Sequence, residues 1–316
     1  MNTISHIDIL ALQSVKGCGP AMIERIYKNL HGFTGKDVFD AIKRLKLKPF
    51  ADIDYEDFCT LERRADRLLD RSEEMGIKAV SIYDDSYPSR LRNTIDENGK
   101  KCPPLVLFYK GDLSVAELPG IAIIGTRDPS PEGVKAGLFF GEKFAELGLN
   151  IVSGLALGCD TTGHRGALAA KGKTTAFLAH GLDTVYPAEN EELAEAIVAN
   201  GGLLMSEYPI GTPVNAYRLV ARDRLQASLG DATVVIQTGI KGGTMHAVNA
   251  TLMANKPLYV VNYKDGGSWK LQEKIKGNIY LQTKGAKGIN PLSDLQAIVK
   301  SLSASTSQSV TENLLF

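Results

Sequence analysis

Cationic side chains and glycines recur in the segments that follow the apolar runs of this sequence. The cations are Arg127, Arg222, Arg224 and Lys241, and the glycines are Gly154, Gly158, Gly242 and Gly243. Glycines let backbone N–H groups approach an anion closely, and arginine and lysine supply the opposite charge. Helix N-termini behind such turns add a favourable dipole. This combination of residue types predicts a phosphate-binding crevice.

Two common nucleotide-binding signatures are absent from these turns. After the apolar run "IAIIG" the chain continues "GTRDPS", which lacks the G-x-G-x-x-G spacing of dinucleotide-binding folds. The turn "GIKGGT" has the wrong spacing for the G-x-x-x-x-G-K-[ST] loop of ATP-hydrolysing proteins. We therefore expect no NAD or other cofactor and no ATP hydrolysis.

The elements that position these residues alternate between apolar strands and amphipathic helices. From Ile121 onward, runs rich in Val and Ile such as "IAIIG", "NIVSG" and "ATVVIQTG" are each followed by a helical pattern. This order is typical of a parallel sheet covered by helices on both faces. The prediction is an α/β fold with a Rossmann-like, doubly wound, mainly parallel sheet, in which ligands bind beyond the carboxyl ends of the strands.

Three regions are predicted along the chain. Residues 1–75 carry apolar residues at helical spacing, as in "MIERIYKNL", and predict a small all-helical domain. Residues 76–302 predict the Rossmann-like domain, which includes an extension with short strands of its own before Ile121. The Ser- and Thr-rich residues 303–316 predict a disordered tail.

Composition favours a globular protein of the reducing cytoplasm. The 316 residues include 36 Lys plus Arg and 36 Asp plus Glu, so the formal charge is zero and any anion site must be local. The four cysteines form no CxxC pair, which argues against a disulfide framework and a metal site. The apolar runs are far shorter than a membrane span, and we expect neither an export signal nor a membrane partner.

Several short motifs follow one another in an order that resembles one family. They are "YPSRL", "PPLVLFYKGDL", "IAIIGTR", "IVSGLALGCDTTGHRGAL", "TTAFLAHGLDTVYPAEN", "LLMSEYPIGTP" and "RDRLQASLG". Each motif alone is weak. Together they run from about Tyr87 to Ile298 and resemble the DNA-processing protein A family, DprA, also called Smf.

The resemblance implies a function and a set of binding residues. It implies a bacterial homodimer, formed through the Rossmann-like domain, that binds single-stranded DNA without sequence preference. Such a protein loads the RecA recombinase onto DNA during transformation and recombination, and it is not an enzyme. Carried over residue by residue, the implied DNA- and phosphate-binding residues are Arg127, Ser153, Gly154, Arg222, Arg224, Lys241, Gly242 and Gly243.

The sequence departs from the family pattern within this proposed site. The family's "RNR" is "RDR" here, so that Asp223 adds a negative charge, and the family's "SGS" or "SGT" loop is "GGT". At the N-terminus, "SVKGCGPAMIERI" resembles a helix-hairpin-helix, whose turn at Gly17 and Gly19 would offer N–H groups to a phosphate. A helical hairpin that only packs on the main domain explains the same pattern equally well.

Two other functions stay open at this stage. Rossmann-like nucleotide N-glycosidases use a "PGGxGTxxE" loop, but the comparable segment "TGIKGGTMHAVN" keeps Thr244 and offers no glutamate. A nucleotide-sensing module of the same fold, in defence or signalling, would bind a small nucleotide in the same crevice. The zero net charge suits that second alternative.

Overall fold

The computed structural model describes residues 4–32, 34–263 and 273–302, in which a group of helices precedes a nine-stranded sheet. The helices include α1 (His6–Ser14), α2 (Pro20–Tyr27), α3 (Gly35–Arg44), α4 (Tyr55–Glu74), α5 (Pro131–Glu146), α6 (Cys159–Ala169), α7 (Glu191–Ala199), α8 (Ala216–Leu229), α9 (Thr244–Met253) and α10 (Lys276–Thr283). The strands are β1 (Lys78–Ser81), β2 (Val106–Gly111), β3 (Gly120–Ile124), β4 (Asn150–Ser153), β5 (Thr174–Leu178), β6 (Leu203–Ser206), β7 (Ala232–Val235), β8 (Leu258–Val261) and β9 (Lys287–Ile289).

Local sequence signals start the N-terminal helices. Ser5, Thr34 and Asp54 cap α1, α3 and α4, and each forms a capping box with the aspartate three residues later. The apolar residues of these helices do not form an isolated core. They belong to one buried cluster that continues onto a face of the sheet through Phe108 and Leu204. The boundary at residue 75 therefore stays a prediction.

The sheet has the strand order β1-β2-β6-β5-β4-β3-β7-β8-β9. All pairings from β6 to β9 are parallel, whereas β1 with β2 and β2 with β6 are antiparallel. The predicted α/β fold with a mainly parallel sheet is therefore confirmed. The strands of the predicted extension, β1 and β2, lengthen the same sheet at one edge.

The chain reverses its direction of travel across the sheet at β3. Strands β4, β5 and β6 lie successively on one side of β3, and β7, β8 and β9 lie on the other. The helices that follow β3 and β7 must therefore pack on opposite faces of the sheet, which leaves an open crevice between them. This crevice is where the fold predicts a ligand.

Two further expectations concern membrane-spanning helices and the C-terminal tail. No helix in the described ranges is long and apolar enough to cross a membrane. The tail that was predicted to be disordered, residues 303–316, lies outside the described residues.

Candidate functional site

A cleft of about 530 Å³ opens beyond the carboxyl ends of β3 and β7. Its lining combines the loop after β3, the start of α6, one side of α8 and the glycine-rich loop before α9. Of the predicted cations, Arg127, Arg222 and Lys241 border this cleft. A volume of this size accommodates one nucleotide.

Arg127 extends from a loop that is fixed on two sides. The N–H of Thr126 donates to the carbonyl of Gln237 at 2.7 Å, and the N–H of Cys159 donates to the carbonyl of Thr126 at 3.1 Å. Gly158 has a φ of +81°, and a Cβ there would lie 2.4 Å from the Thr126 carbonyl oxygen, so only glycine permits this approach. Arg127 itself is exposed at the mouth of the cleft.

The neighbouring acid does not neutralise Arg127. Asp128 pairs instead with Lys274, at 2.5 Å between Oδ2 and Nζ. No ion pair of Arg127 occurs within the described ranges of the chain, so its guanidinium is available to an external anion. A phosphate oxygen is the natural partner for such a group.

Lys241 lies on the opposite rim, in the loop between β7 and α9. The base of this loop is anchored by α10, where the Asn278 side chain accepts from the N–H of Thr238 at 2.9 Å. Beyond the anchor, Lys241, Gly242 and Gly243 are exposed and line the cleft, and Gly242 has a φ of +155°. The loop therefore presents a cation and the N-terminus of α9 to the same space.

Arg222 is in the wall of the cleft and has internal partners. It is only 4% exposed, and Nη1 donates to the carbonyl of Phe177 at 2.7 Å. Its Nε lies 3.3 Å from Oδ1 of Asp223. The role of Arg222 as a phosphate contact stays a prediction, and in this structure its charge lies beside carboxylates of the protein.

Arg224 does not line this cleft, and its role in phosphate binding stays a prediction. It faces a second cleft of about 450 Å³ that shares Val220 of α8 with the first. There, Nη1 and Nη2 donate to the two carboxylate oxygens of Glu207 at 2.9 and 2.7 Å. Residues two apart on a helix point about 200° away from each other, so Arg222 and Arg224 lie on different sides of α8.

The "SG" turn, formed by Ser153 and Gly154, packs against Arg222. The Ser153 hydroxyl is fully buried and donates to the carbonyl of Ile123 at 2.6 Å, and a phosphate contact by this side chain stays a prediction. The N–H of Gly154 donates to Asp160 at 3.1 Å and is not free for an anion. A Cβ at Gly154 would lie 1.7 Å from Nη1 of Arg222, which explains why the turn needs glycine.

Two carboxylates make the floor of the cleft acidic. Burial raises the pKa of Asp160 above its usual value, against the opposing effect of the Arg222 charge. Burial likewise raises the pKa of Asp223 to about 6, although Arg222 acts to lower it. The floor therefore places one cation, Arg222, between two acidic side chains, whereas the rim carries the cations Arg127 and Lys241.

Sequence reasoning missed two residues of this floor. Asp160 reads as the start of a helix, yet its Oδ2 accepts from the N–H groups of Gly154 and Ala156 at 3.1 and 3.3 Å. Gln226 lines the cleft one helical turn after Asp223, and its Nε2 donates to Oδ1 of Asp223 at 3.0 Å. The spacing of three residues in α8 was the available signal for Gln226. No group of side chains suited to a metal occurs in the described part of the chain.

The N-terminal turn has the shape of a helical hairpin. Gly17 and Gly19 are exposed between α1 and α2, and Gly17 has a φ of +91°. Pro20 occupies the first turn of α2, where its missing N–H costs nothing. DNA binding at this turn stays a prediction.

Known proteins share both the sequence and the fold. The Smf protein of Synechocystis is 30% identical over 258 residues, which is 75% of this chain and 59% of that protein. The DNA processing protein DprA of Streptococcus pneumoniae is 33% identical over 207 residues, 63% of this chain and 70% of that protein. A solved structure of DprA from that species superimposes with a TM-score of 0.71 at 27% identity, covering 91% of this chain and 95% of its own.

A second solved structure, DNA processing protein A from Helicobacter pylori, superimposes with a TM-score of 0.60 at 27% identity and covers 72% of this chain and 96% of its own. The chain spans only 59% and 45% of the Smf proteins of Synechocystis and Escherichia coli. Residues 78–302 match the sequence profile of the DNA recombination-mediator protein A, and this range contains the whole sheet and every residue of the cleft. This chain belongs to the DNA recombination-mediator protein A family.

Proposed function

We propose that this protein binds single-stranded DNA across the cleft, with phosphates held by Arg127 and Lys241. The bound strand is then passed to the RecA recombinase in the cytoplasm, during transformation or recombination. The protein acts by binding and not by catalysis. Because the chain spans only part of the length of some relatives, this proposal concerns the activity of the region seen here.

The observation that carries the proposal is the presence of two exposed cations on opposite rims of one cleft. Within the described ranges neither Arg127 nor Lys241 has an ion-pair partner in the protein. Phosphate contacts of this kind provide affinity without reading sequence. The Helicobacter pylori relative, a member of the same family, was solved for its single-stranded DNA binding mode.

Binding as a homodimer is part of the proposal. The side of the sheet that carries α9 and α10 exposes Met253 and Ile279, at 49% and 55% of their areas. Leu252 and Tyr280, next to them in the chain, are also more than one third exposed. Exposed apolar side chains on neighbouring helices are typical of an interface. Light scattering of the purified protein, compared with a Met253→Glu Ile279→Glu variant, tests this contact.

A non-catalytic role is supported by how the acids of the cleft are engaged. A general base needs a carboxylate that is free to accept a proton from substrate or water. Oδ2 of Asp160 already accepts from two N–H groups, and Asp223, of which only Oδ2 lacks a hydrogen bond within the described ranges, is held through Oδ1 by Arg222 and Gln226. The protein should therefore release neither free base nor phosphate from a panel of nucleotides.

The nucleotide-sensing alternative draws on the size and charge of the cleft. One nucleotide fills about 530 Å³ without any need for a polymer. The test that separates the two functions is a fluorescence titration with a labelled oligothymidylate at several salt concentrations. A polymer releases condensed counterions on binding, whereas a mononucleotide does not, so only DNA gives a steep dependence on salt.

Arg127→Ala and an exposed arginine of α4, Arg64→Ala, make a matched pair for this titration. We expect Arg127→Ala to weaken binding about tenfold on oligomers of every base composition, and Arg64→Ala to leave it unchanged. Equal effects of the two variants, or tight binding that is independent of salt, would favour nucleotide sensing over DNA binding. Transfer to RecA is measured as the rate of RecA filament formation on DNA coated with a single-strand binding protein.

A further inference from the structure

The floor of the cleft offers hydrogen-bond acceptors that the protein does not use. Oδ1 of Asp223 accepts from Nε2 of Gln226 at 3.0 Å and lies 3.3 Å from Nε of Arg222. Because an ionised carboxylate can only accept, this contact fixes the amide orientation of Gln226. Oδ2 of Asp223 has no hydrogen bond within the described ranges, and the side chain is 15% exposed where it borders the cleft.

Gln226 provides a second and independent observation. The residue is 2% exposed and lines the cleft, and its Oε1 is buried without a partner in the described part of the chain. A buried amide oxygen without a donor is unfavourable, because folding has removed its water. A ligand that brings N–H groups to this floor would donate to Oδ2 of Asp223. The Gln226 amide could then change its own hydrogen-bond partner.

The arrangement of charge selects what can reach the floor. Phosphates are attracted to Arg127 and Lys241 at the rim and are repelled by the Asp223 carboxylate below them. The part of a nucleotide that points inward is therefore its base. Nε of Arg222 also lacks a hydrogen bond within the described ranges, but it is ion-paired with Oδ1 of Asp223 at 3.3 Å. The atom left facing the cleft is the acceptor Oδ2 of Asp223, so the favoured base presents N–H donors.

The four bases differ strongly in this respect. Guanine carries N1–H and the 2-amino group side by side, a pair of donors that matches a carboxylate. Adenine and cytosine offer one amino group beside an acceptor nitrogen. Thymine offers N3–H between two carbonyl oxygens, which a carboxylate repels.

We propose that Asp223, oriented by Gln226, makes the cleft selective for guanine at one position of the bound strand. This inference rests on the proposed function and adds to it, because phosphate contacts alone carry no sequence information. It also gives a role to the aspartate of "RDR".

The test uses fluorescence anisotropy with a short oligothymidylate whose central position is dT, dG, deoxyinosine or 7-deaza-dG. We expect dG to bind about tenfold tighter than dT, as one bidentate base contact provides. Deoxyinosine lacks the 2-amino group and should lose most of this gain. The 7-deaza base is altered on its opposite edge and should retain the gain.

Variants assign the preference to the floor. Asp223→Asn should bind the dG and dT oligomers with equal affinity, because the amide no longer offers two acceptor oxygens to guanine. Gln226→Leu, which leaves the carboxylate in place, should reduce the preference partly. Circular dichroism checks that both variants are folded, and the comparison of bases in the wild-type protein needs no variant.

The outcomes separate this inference from the proposed function. If all four oligomers bind with equal affinity and a steep salt dependence, selectivity for guanine is refuted and DNA binding stands. If no oligomer binds but free dGMP binds better than dTMP, the base preference stands and the DNA function falls. If neither the oligomers nor the mononucleotides bind, both are overturned.

Discussion

Arg224 and Glu207 form a bidentate ion pair, in which Nη1 donates to Oε1 at 2.9 Å and Nη2 donates to Oε2 at 2.7 Å. The two side chains are only 12% and 16% exposed. The guanidinium also approaches the Cys102 carbonyl, with Nε and Nη2 each 3.4 Å away. The pair joins α8 to the segment after β6 and to the residues before β2, away from the phosphate rim.

Arg224→Ala should therefore destabilise the protein without weakening DNA binding. It leaves Glu207 buried and unpaired, which costs about 3 kcal/mol of unfolding free energy. The measurement is urea unfolding beside an oligothymidylate titration of the folded variant. The double variant Arg224→Met Glu207→Leu should recover most of the stability. A loss of DNA affinity as large as that of Arg127→Ala would show that Arg224 contributes to DNA binding.

Lys241→Gln should change the salt dependence of binding in a defined way. Two free cations per protomer imply a slope of log affinity against log salt of about −1.4, at about −0.7 per phosphate on a single strand. The variant should make the slope shallower by about 0.7 units and leave the unfolding free energy unchanged, since Lys241 is an exposed loop residue. A wild-type slope twice as steep would indicate a strand that spans two protomers.

Gly154→Ala should disturb the cleft through Arg222. The added Cβ would lie 1.7 Å from Nη1, which is itself bonded to the Phe177 carbonyl, so the guanidinium must move. Overpacking of this kind costs about 1–3 kcal/mol. Gly243→Ala is the matched control, because its Cβ meets nothing within 4 Å. Denaturant unfolding of both variants makes the comparison, and equal midpoints would show that Arg222 adapts freely.

The preference for guanine should depend on pH through Asp223. Its pKa is raised to about 6 by burial, and the charged groups that act on it are Arg222, Asp160, His246 and Arg127. Above pH 6 the carboxylate is ionised and accepts from guanine, whereas below pH 6 it is protonated and loses that capacity. The ratio of dG to dT affinity should therefore fall as pH decreases from about 7.5 to about 5.

Two controls complete the pH series. Binding of the dT oligomer serves as the reference at each pH, because it makes the same phosphate contacts as the dG oligomer. Asp223→Asn should show no change in the ratio with pH. A ratio that stays constant in the wild-type protein would mean that another group reads the base.

The sequence by itself determined the class of the fold and the region of the site. Apolar runs followed by helical patterns require a parallel sheet, and parallel strands bring all their carboxyl ends to one edge. Hence Arg127 and the loop from Lys241 to Gly243 were placed in one crevice without any knowledge of strand order. The positions of β1 and β2 at the edge of the sheet were not predictable, since nothing local selects β6 as their neighbour.

Only the tertiary structure decided which cations are free. Arg222 and Arg224 look alike in "RDR", but their partners, Phe177 and Glu207, come from segments that are 45 and 17 residues away. A buried guanidinium is satisfied by whichever carboxylates and carbonyls the fold brings near, and sequence spacing does not report that proximity. The same holds for two other side chains. Ser153 donates to a carbonyl of β3, and Asp160 accepts from N–H groups of the turn after β4.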